Sequence, residues 1–142
     1  MSDLSIFETE TFVIKQTDGY LIPGYVIVES KLNVNFISEY NQSQLSELFR
    51  AMNDVEKMVN EILKPERVYI MKFAEVNPKV HFHIVPRTVE IGKCYESMVD
   101  DQAPYNGAKL IDWLWSNHKQ LNYKQADLKA FVEQAKSFIG SS

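Results

Sequence analysis

The sequence predicts an α+β domain built on a mainly antiparallel sheet. Three observations carry this. Segments with strand pattern stand both before and after one long stretch of helical pattern. The clearest strand, Lys79-Val80-His81-Phe82-His83-Ile84-Val85-Pro86-Arg87, alternates between two faces along its length. Beyond it the chain returns to helical periodicity as far as Ile139.

The 142 residues fit one domain, 1–142, long enough to bury a working core. With 45% hydrophobic and 24% charged residues the composition is that of an ordinary globular chain, with no repeat or low-complexity segment. A formal net charge of −4 argues against general nucleic-acid binding, which selects basic chains. It leaves room for a small anionic ligand met by a local basic patch. The single Cys94 excludes an internal disulfide and suits a reducing compartment. Met1 to Glu10 carries Asp3, Glu8 and Glu10 and no apolar run, so no signal peptide is expected. No later run is long enough to span a membrane. A cytoplasmic protein without a membrane partner is therefore expected.

Residues Thr11 to Gln16 predict a first strand and Thr17-Asp18-Gly19 a turn. After Tyr20-Leu21-Ile22-Pro23-Gly24, a second strand is predicted over Tyr25 to Ser30. Leu32 to Tyr40 is a connection. Asn41 with Gln44 predicts a capping box opening a helix whose apolar positions are Leu45, Leu48, Phe49, Met52, Val55, Val59, Ile62 and Leu63. Its opposite face, with Glu47, Arg50, Glu56 and Lys57, is a solvated surface, and Pro65 closes it. A third strand is predicted over Val68 to Phe73, joined by Ala74 to Pro78 to the histidine strand. Val89 to Asn106 reads as irregular, with Gly92, Pro104 and Asn106-Gly107 as breakers. Lys109 to Trp115 predicts a short helix with His118 at its end. The last helix is predicted from about Tyr123 to Ile139, capped by Asn122 and stopped by Gly140.

The histidine strand is where chemistry concentrates. Successive strand side chains point to opposite faces, so His81 and His83 stand together on one face, bracketed by Lys79 and Arg87. Such a pair can be plain surface, or two ligands of a metal such as zinc. The metal lacks further ligands: there is no Cys-x-x-Cys, and the nearest carboxylates, Glu75 and Glu90, are not at ligating spacings. As neutral imidazoles beside fixed cations they can instead attack, or donate protons to, an anionic substrate.

Val80-His81-Phe82-His83-Ile84-Val85-Pro86-Arg87 resembles the signature strand of the histidine triad (HIT) superfamily, His-φ-His-φ-His-φ-φ, often followed by Pro-Arg. The resemblance puts His81 at the middle histidine, the nucleophile of active members, and His83 at the third, which contacts the scissile phosphate and leaving group. Lys79 stands at the first. Gly24-Tyr25-Val26-Ile27-Val28 is similar to the family's Gly-His-φ-φ-φ strand, with Tyr25 at a supporting histidine position. Tyr25 equally reads as a strand aromatic with its hydroxyl at the rim. Gln16 and Asp18 are the candidates for the family's ribose contact, and Asp18-Gly19 also reads simply as a turn. Ala74 to Pro78 is short and lacks the family's Gly-Gln-Ser or Gly-Gln-Thr phosphate element, and Glu75 there is unfavourable for an anion. Lys72, at a nucleotide-contacting position, with Lys79, Arg87 and Lys93, can hold phosphate as point charges, or be ordinary exposed cations.

The resemblance covers about residues 11–88, with a helical extension at about 107–140. It implies a HIT-like, mainly antiparallel five-stranded sheet with one long helix and C-terminal helices, often in a homodimer. It implies a nucleotide hydrolase or nucleotidyltransferase acting at the α-phosphate of a nucleoside phosphate derivative through a nucleotidyl-histidine. No metal or other cofactor is needed, and the partner is a small-molecule nucleotide. The alternative is a HIT-fold module, weakly active or inactive, that binds a nucleotide or a protein.

Overall fold

The computed structural model describes residues 4–141; Met1, Ser2, Asp3 and Ser142, which belong to the expected domain and N-terminal segment, lie outside them. Strands β1 (Ser5–Glu8), β2 (Phe12–Gln16), β3 (Val26–Ser30), β4 (Arg67–Met71) and β5 (His81–Arg87) form one five-stranded sheet in the order β1-β2-β3-β5-β4. Every neighbouring pair is antiparallel. Helices α1 (Gln42–Leu63), α2 (Val89–Met98), α3 (Gly107–Asn117) and α4 (Gln125–Gly140) cover it. The predicted α+β class, with five antiparallel strands, one long helix and C-terminal helices, is the observed one. None of the described helices is long and apolar enough to cross a membrane.

Alternation explains how the layers stack. The even positions of the histidine strand, Val80, Phe82 and Ile84, join Phe12, Ile14, Val26 and Val28 in one core. Leu48, Val55, Met58 and Val59 of α1 and Leu128, Phe131 and Val132 of α4 cover that face. The opposite face carries Tyr25, Ile27 and Val85, covered by Ile91 and Tyr95 of α2 and by Leu110, Ile111, Trp113 and Leu114 of α3. The sheet is thus a middle layer, and α2 and α3 sit on the same side as the histidines.

Helix α1 opens as predicted: Asn41 accepts the Gln44 N–H at 2.8 Å, and the Gln44 side chain accepts the Asn41 N–H at 2.9 Å. Four elements depart from expectation. Strand β1 has no counterpart in the predicted elements. Strand β4 ends at Met71, which leaves Lys72 and Phe73 outside it. Residues 89–98, expected to be irregular, form α2, with Thr88 as its cap. Gly92 does not break this helix. A Cβ there would meet the Tyr105 ring at 3.2 Å from its hydroxyl oxygen, so the glycine serves close packing. Helix α4 is capped at Lys124, where Asp127 accepts the main-chain N–H at 2.7 Å. Asn122 instead takes the left-handed conformation that ends the short 3-10 turn His118–Leu121, and Gly140 lies inside the last turn of α4.

Gly24 sets the entry to β3. Its φ is +89°, and a Cβ there would collide with Leu63 at the end of α1 and meet Pro86 at 3.1 Å. Its N–H donates to Gln16 Oε1 at 2.7 Å, and Gln16 Nε2 donates to Ile22 O at 2.9 Å. Gln16 thereby holds the 17–24 loop against the sheet and delivers Tyr25 to the histidine face.

Candidate functional site

In the β3–β5 and β4–β5 pairs His83 lies opposite Ile27 and Met71, and His81 opposite Glu29. The two imidazoles share the sheet face expected from the sequence, with ring centroids 5.3 Å apart. They open into a cavity of about 480 Å3 whose other lining residues include Tyr20, Phe73, Glu75, Asn77 and Trp115.

The protons of this pair follow from its hydrogen bonds. His81 Nδ1 lies 2.8 Å from the carbonyl oxygen of Lys79. A carbonyl only accepts, so Nδ1 carries the proton and Nε2 presents a lone pair. His83 is set the opposite way. The Tyr25 hydroxyl lies 2.7 Å from His83 Nδ1, and Trp115 Nε1 donates to the Tyr25 oxygen at 2.9 Å. Tyr25 is fully buried, and His83 Nδ1 is the acceptor within reach of its proton. Tyr25 therefore donates to His83, and the His83 proton sits on Nε2. One imidazole offers a lone pair and its neighbour an N–H.

Burial favours the neutral forms of Tyr25 and His83. Burial raises the Tyr25 pKa well above that of a free phenol; the Trp115 hydrogen bond opposes this and the Tyr20 phenol adds to it. Burial lowers the His83 pKa below that of a free imidazole, and the neighbouring His81 lowers it further.

An aromatic wall supports the relay. Tyr20 stacks on Tyr25 with centroids 5.2 Å apart and lies 6.4 Å from Trp115. His118 meets Tyr20 edge-on at 5.5 Å, and its Nδ1 accepts the Leu21 N–H at 3.0 Å. His118 thus pins the loop before β3 to the end of α3 and does not line the histidine cavity.

The other predicted site residues divide sharply. Gln16 is corrected: it is 1% exposed and its amide is committed to the Thr17, Ile22 and Gly24 main chain, which leaves nothing for a ribose. Arg87 is corrected too. Its guanidinium donates to Tyr69 at 3.1 Å, lies 3.9 Å from Glu66 and stacks 4.9 Å over the Tyr105 ring, buried as part of the framework. Asp18 is exposed in the turn after β2 and does not line the cavity. Lys72 and Lys79 are half-buried at either end of the 73–78 loop, and the Lys79 main chain, through its carbonyl, is what touches the pair. Lys93 is exposed on α2. Tyr20, Phe73 and Trp115 were absent from the predicted site. Trp113-Leu114-Trp115 held a clue: tryptophans two apart on a helix cannot share a face, so only one could belong to the core. Among the described residues no three His, Cys, Asp or Glu side chains converge on a possible metal position.

Solved structures reproduce this architecture. A HIT-like protein involved in cell-cycle regulation from Bartonella henselae matches with a TM-score of 0.62 at 13% identity, covering 97% of this chain and 88% of that one. A hypothetical histidine triad nucleotide-binding protein from Sulfolobus tokodaii matches with a TM-score of 0.62 at 13% identity, over 97% and 84%. A zinc-bound histidine triad family protein from Mycobacterium smegmatis matches with a TM-score of 0.60 at 14% identity, over 96% and 84%. The chain has the histidine triad fold, and the match extends through α3 and α4, well beyond the segment that resembles the family in sequence. No protein-family model matches the sequence, and no curated protein does.

Proposed function

We propose that the protein is a HIT-type nucleotide hydrolase or nucleotidyltransferase that works through a nucleotidyl-His81 intermediate. The observation that carries this is the pair of opposite tautomers: a lone pair on His81 Nε2 beside an N–H on His83 Nε2. His81 Nε2 attacks the α-phosphorus of a nucleoside phosphate derivative as the bond to the leaving group breaks. The imidazole gains positive charge, which the Lys79 carbonyl stabilises through the Nδ1–H. His83 donates a hydrogen bond to the oxygen or nitrogen on which negative charge builds. Water then displaces His81. Splitting one displacement into two lowers each barrier. Lys72 and Lys79, at the two ends of the 73–78 loop, add positive potential near the pair. The name of the Sulfolobus tokodaii neighbour, a nucleotide-binding protein, fits this chemistry.

Trapping tests it. Histidine phosphoramidates survive alkali and hydrolyse in acid. Wild type quenched in base during turnover of adenylyl or guanylyl phosphoramidates should gain the mass of one nucleotidyl group, and His81→Ala should not. Full turnover by His81→Ala would exclude covalent catalysis at this residue. A binding module of the same fold is favoured by one feature, the Glu75 carboxylate at the cavity, which repels anionic substrate. Nucleotide binding by wild type with neither adduct nor turnover would select it.

The same proposal includes a homodimer in the cytoplasm. Strand β4 is a sheet edge, with Ile70 45% exposed on it and Phe73 61% exposed beyond it, a surface suited to a second copy. Sedimentation should give twice the 16.5 kDa chain mass, and a monomer at micromolar concentration would remove this part.

A further inference from the structure

The chain has three histidines, and the third, His118, stands outside the histidine cavity yet is joined to it. A continuous path of ring contacts runs inward from it. The His118 ring meets Tyr20 edge-on with centroids 5.5 Å apart. Tyr20 lies nearly flat on Tyr25 at 5.2 Å, and Tyr25 meets His83 at 5.7 Å. Tyr20 also lines the cavity, so its ring is at once a wall of the site and the backing of Tyr25.

The path depends on the 17–24 loop, whose hydrogen bonds are unevenly anchored. The Thr17, Gly19, Ile22, Gly24 and Tyr25 N–H groups donate to partners within residues 16–25. These bonds fold the loop upon itself. The Leu21 N–H reaches further: it donates at 3.0 Å to His118 Nδ1, 97 residues along the chain. Burial does not replace this hold at Tyr20. That residue is half-buried, whereas Ile22 and Tyr25 are no more than 1% exposed. A half-buried ring keeps rotamer freedom that packing has not removed, and the anchor nearest to it is the one on the next residue. A neutral imidazole accepts at one nitrogen, and here that nitrogen is Nδ1, so the His118 proton sits on Nε2. With no acceptor at that place the Leu21 N–H would be a part-buried donor lacking a partner, which favours another loop path.

We propose that His118 is a positioning residue for the histidine pair: by accepting the Leu21 N–H it seats Tyr20 against Tyr25 and so keeps the Tyr25 hydroxyl on His83 Nδ1. Its effect on catalysis rests on the nucleotidyl-transfer chemistry proposed above, in which the His83 Nε2–H donates to the group that gains negative charge. Its effect on the His83 proton does not need that chemistry.

The test reads the His83 ring nitrogens by NMR on protein with isotope-labelled histidine, at about pH 8, where a free imidazole is neutral. Wild type should show one tautomer, protonated on Nε2. In His118→Leu the two nitrogen signals should move towards each other as the Nδ1–H form becomes populated. Turnover of an adenylyl phosphoramidate should slow about fivefold in kcat, the rate equivalent of one ordinary hydrogen bond. His118→Asn, whose Oδ1 supplies an acceptor near the place of Nδ1, should restore both. A residue that merely staples α3 to the loop would lower the urea midpoint of His118→Leu and leave the His83 signals unmoved, and that result would overturn the proposal. Tyr20→Leu covers the case in which His118→Leu does not fold. It keeps the Leu21–His118 hydrogen bond and should move the His83 signals in the same direction. Unmoved signals there, or no recovery in His118→Asn, would also overturn it. Since the tautomer is read without substrate, the two readings separate. Moved and restored His83 signals in a protein that turns over nothing would keep the positioning role and remove the hydrolase. Ordinary turnover with His83 unmoved in every variant would do the reverse.

Discussion

Two histidines two residues apart on one strand hold their protons on opposite nitrogens, and only one of them owes this to a nearby main-chain carbonyl. His81 is set by a main-chain carbonyl at position 79. Any residue there supplies the same carbonyl acceptor, so a lysine at that position leaves the His81 tautomer unchanged. His83 depends on side chains. Tyr25→Phe deletes the donor to Nδ1, a hydrogen bond worth about 1 kcal/mol net, so kcat for phosphoramidate turnover should fall about fivefold to tenfold with the His81 adduct still formed. In the wild type His83 should titrate below the free-imidazole value of about 6.5, because burial and then His81 disfavour its cation. Loss of the Tyr25 donor removes a barrier to protonation at Nδ1, and the NMR midpoint should move up. An unmoved midpoint would mean that Tyr25 does not set the proton. The alternation of residues 79–87 was enough to place the two histidines together. It could not show that Gln16 and Arg87, sound choices by residue type, are consumed by the framework, because burial and partners are properties of the folded chain.

Elements with strong local signals were legible: β2, β3, β5 and α1 follow from period and capping alone. The misses have local causes. Strand β1 is four residues at a sheet edge, too short to show alternation. Helix α2 was hidden by Gly92, whose reason is the Tyr105 ring packed against it. At Gly24 the sequence signal and the structural need agree. Gly24→Ala places a Cβ in the left-handed region, at a penalty of roughly 1–2 kcal/mol, and drives it into Leu63 and Pro86, adding about 1–3 kcal/mol of overpacking. The urea midpoint should drop with the slope unchanged. A midpoint equal to wild type would show that the α1 terminus yields freely.

Across the whole molecule, two half-buried histidines tie stability to pH. His83 and His118 both have pKa values lowered in the folded state, by burial first and then by His81 and Lys119 respectively. Around His118 the packed groups are the Tyr20 ring, the Leu21 N–H that its Nδ1 accepts, and Lys119. The unfolded chain takes up these protons at about pH 6.5 and the folded chain only at lower pH. Stability is therefore complete above that value and declines as pH falls towards the folded pKa values. Glu47 adds a lower window. Burial raises its pKa, but hydrogen bonds from Thr9 and Thr11 outweigh this and hold it below the usual carboxylate value, so its contribution is lost in stronger acid. Urea unfolding should show a decrease between pH 7.5 and 5, ahead of the carboxylate range, and a flat profile there would contradict the lowered pKa values of the two histidines.

Tyr25 and Trp115 are joined across 90 residues of sequence. The sheet and its α1–α4 face form a core in which α3 has no part, so the histidine strand can be paired before α3 has docked. Until it docks, the Tyr25 oxygen lacks its donor and the histidine cavity lacks its Trp115 wall. A variant that loosens α3 should therefore uncover the Tyr25 hydroxyl and the histidine pair together while the core between the sheet, α1 and α4 stays packed.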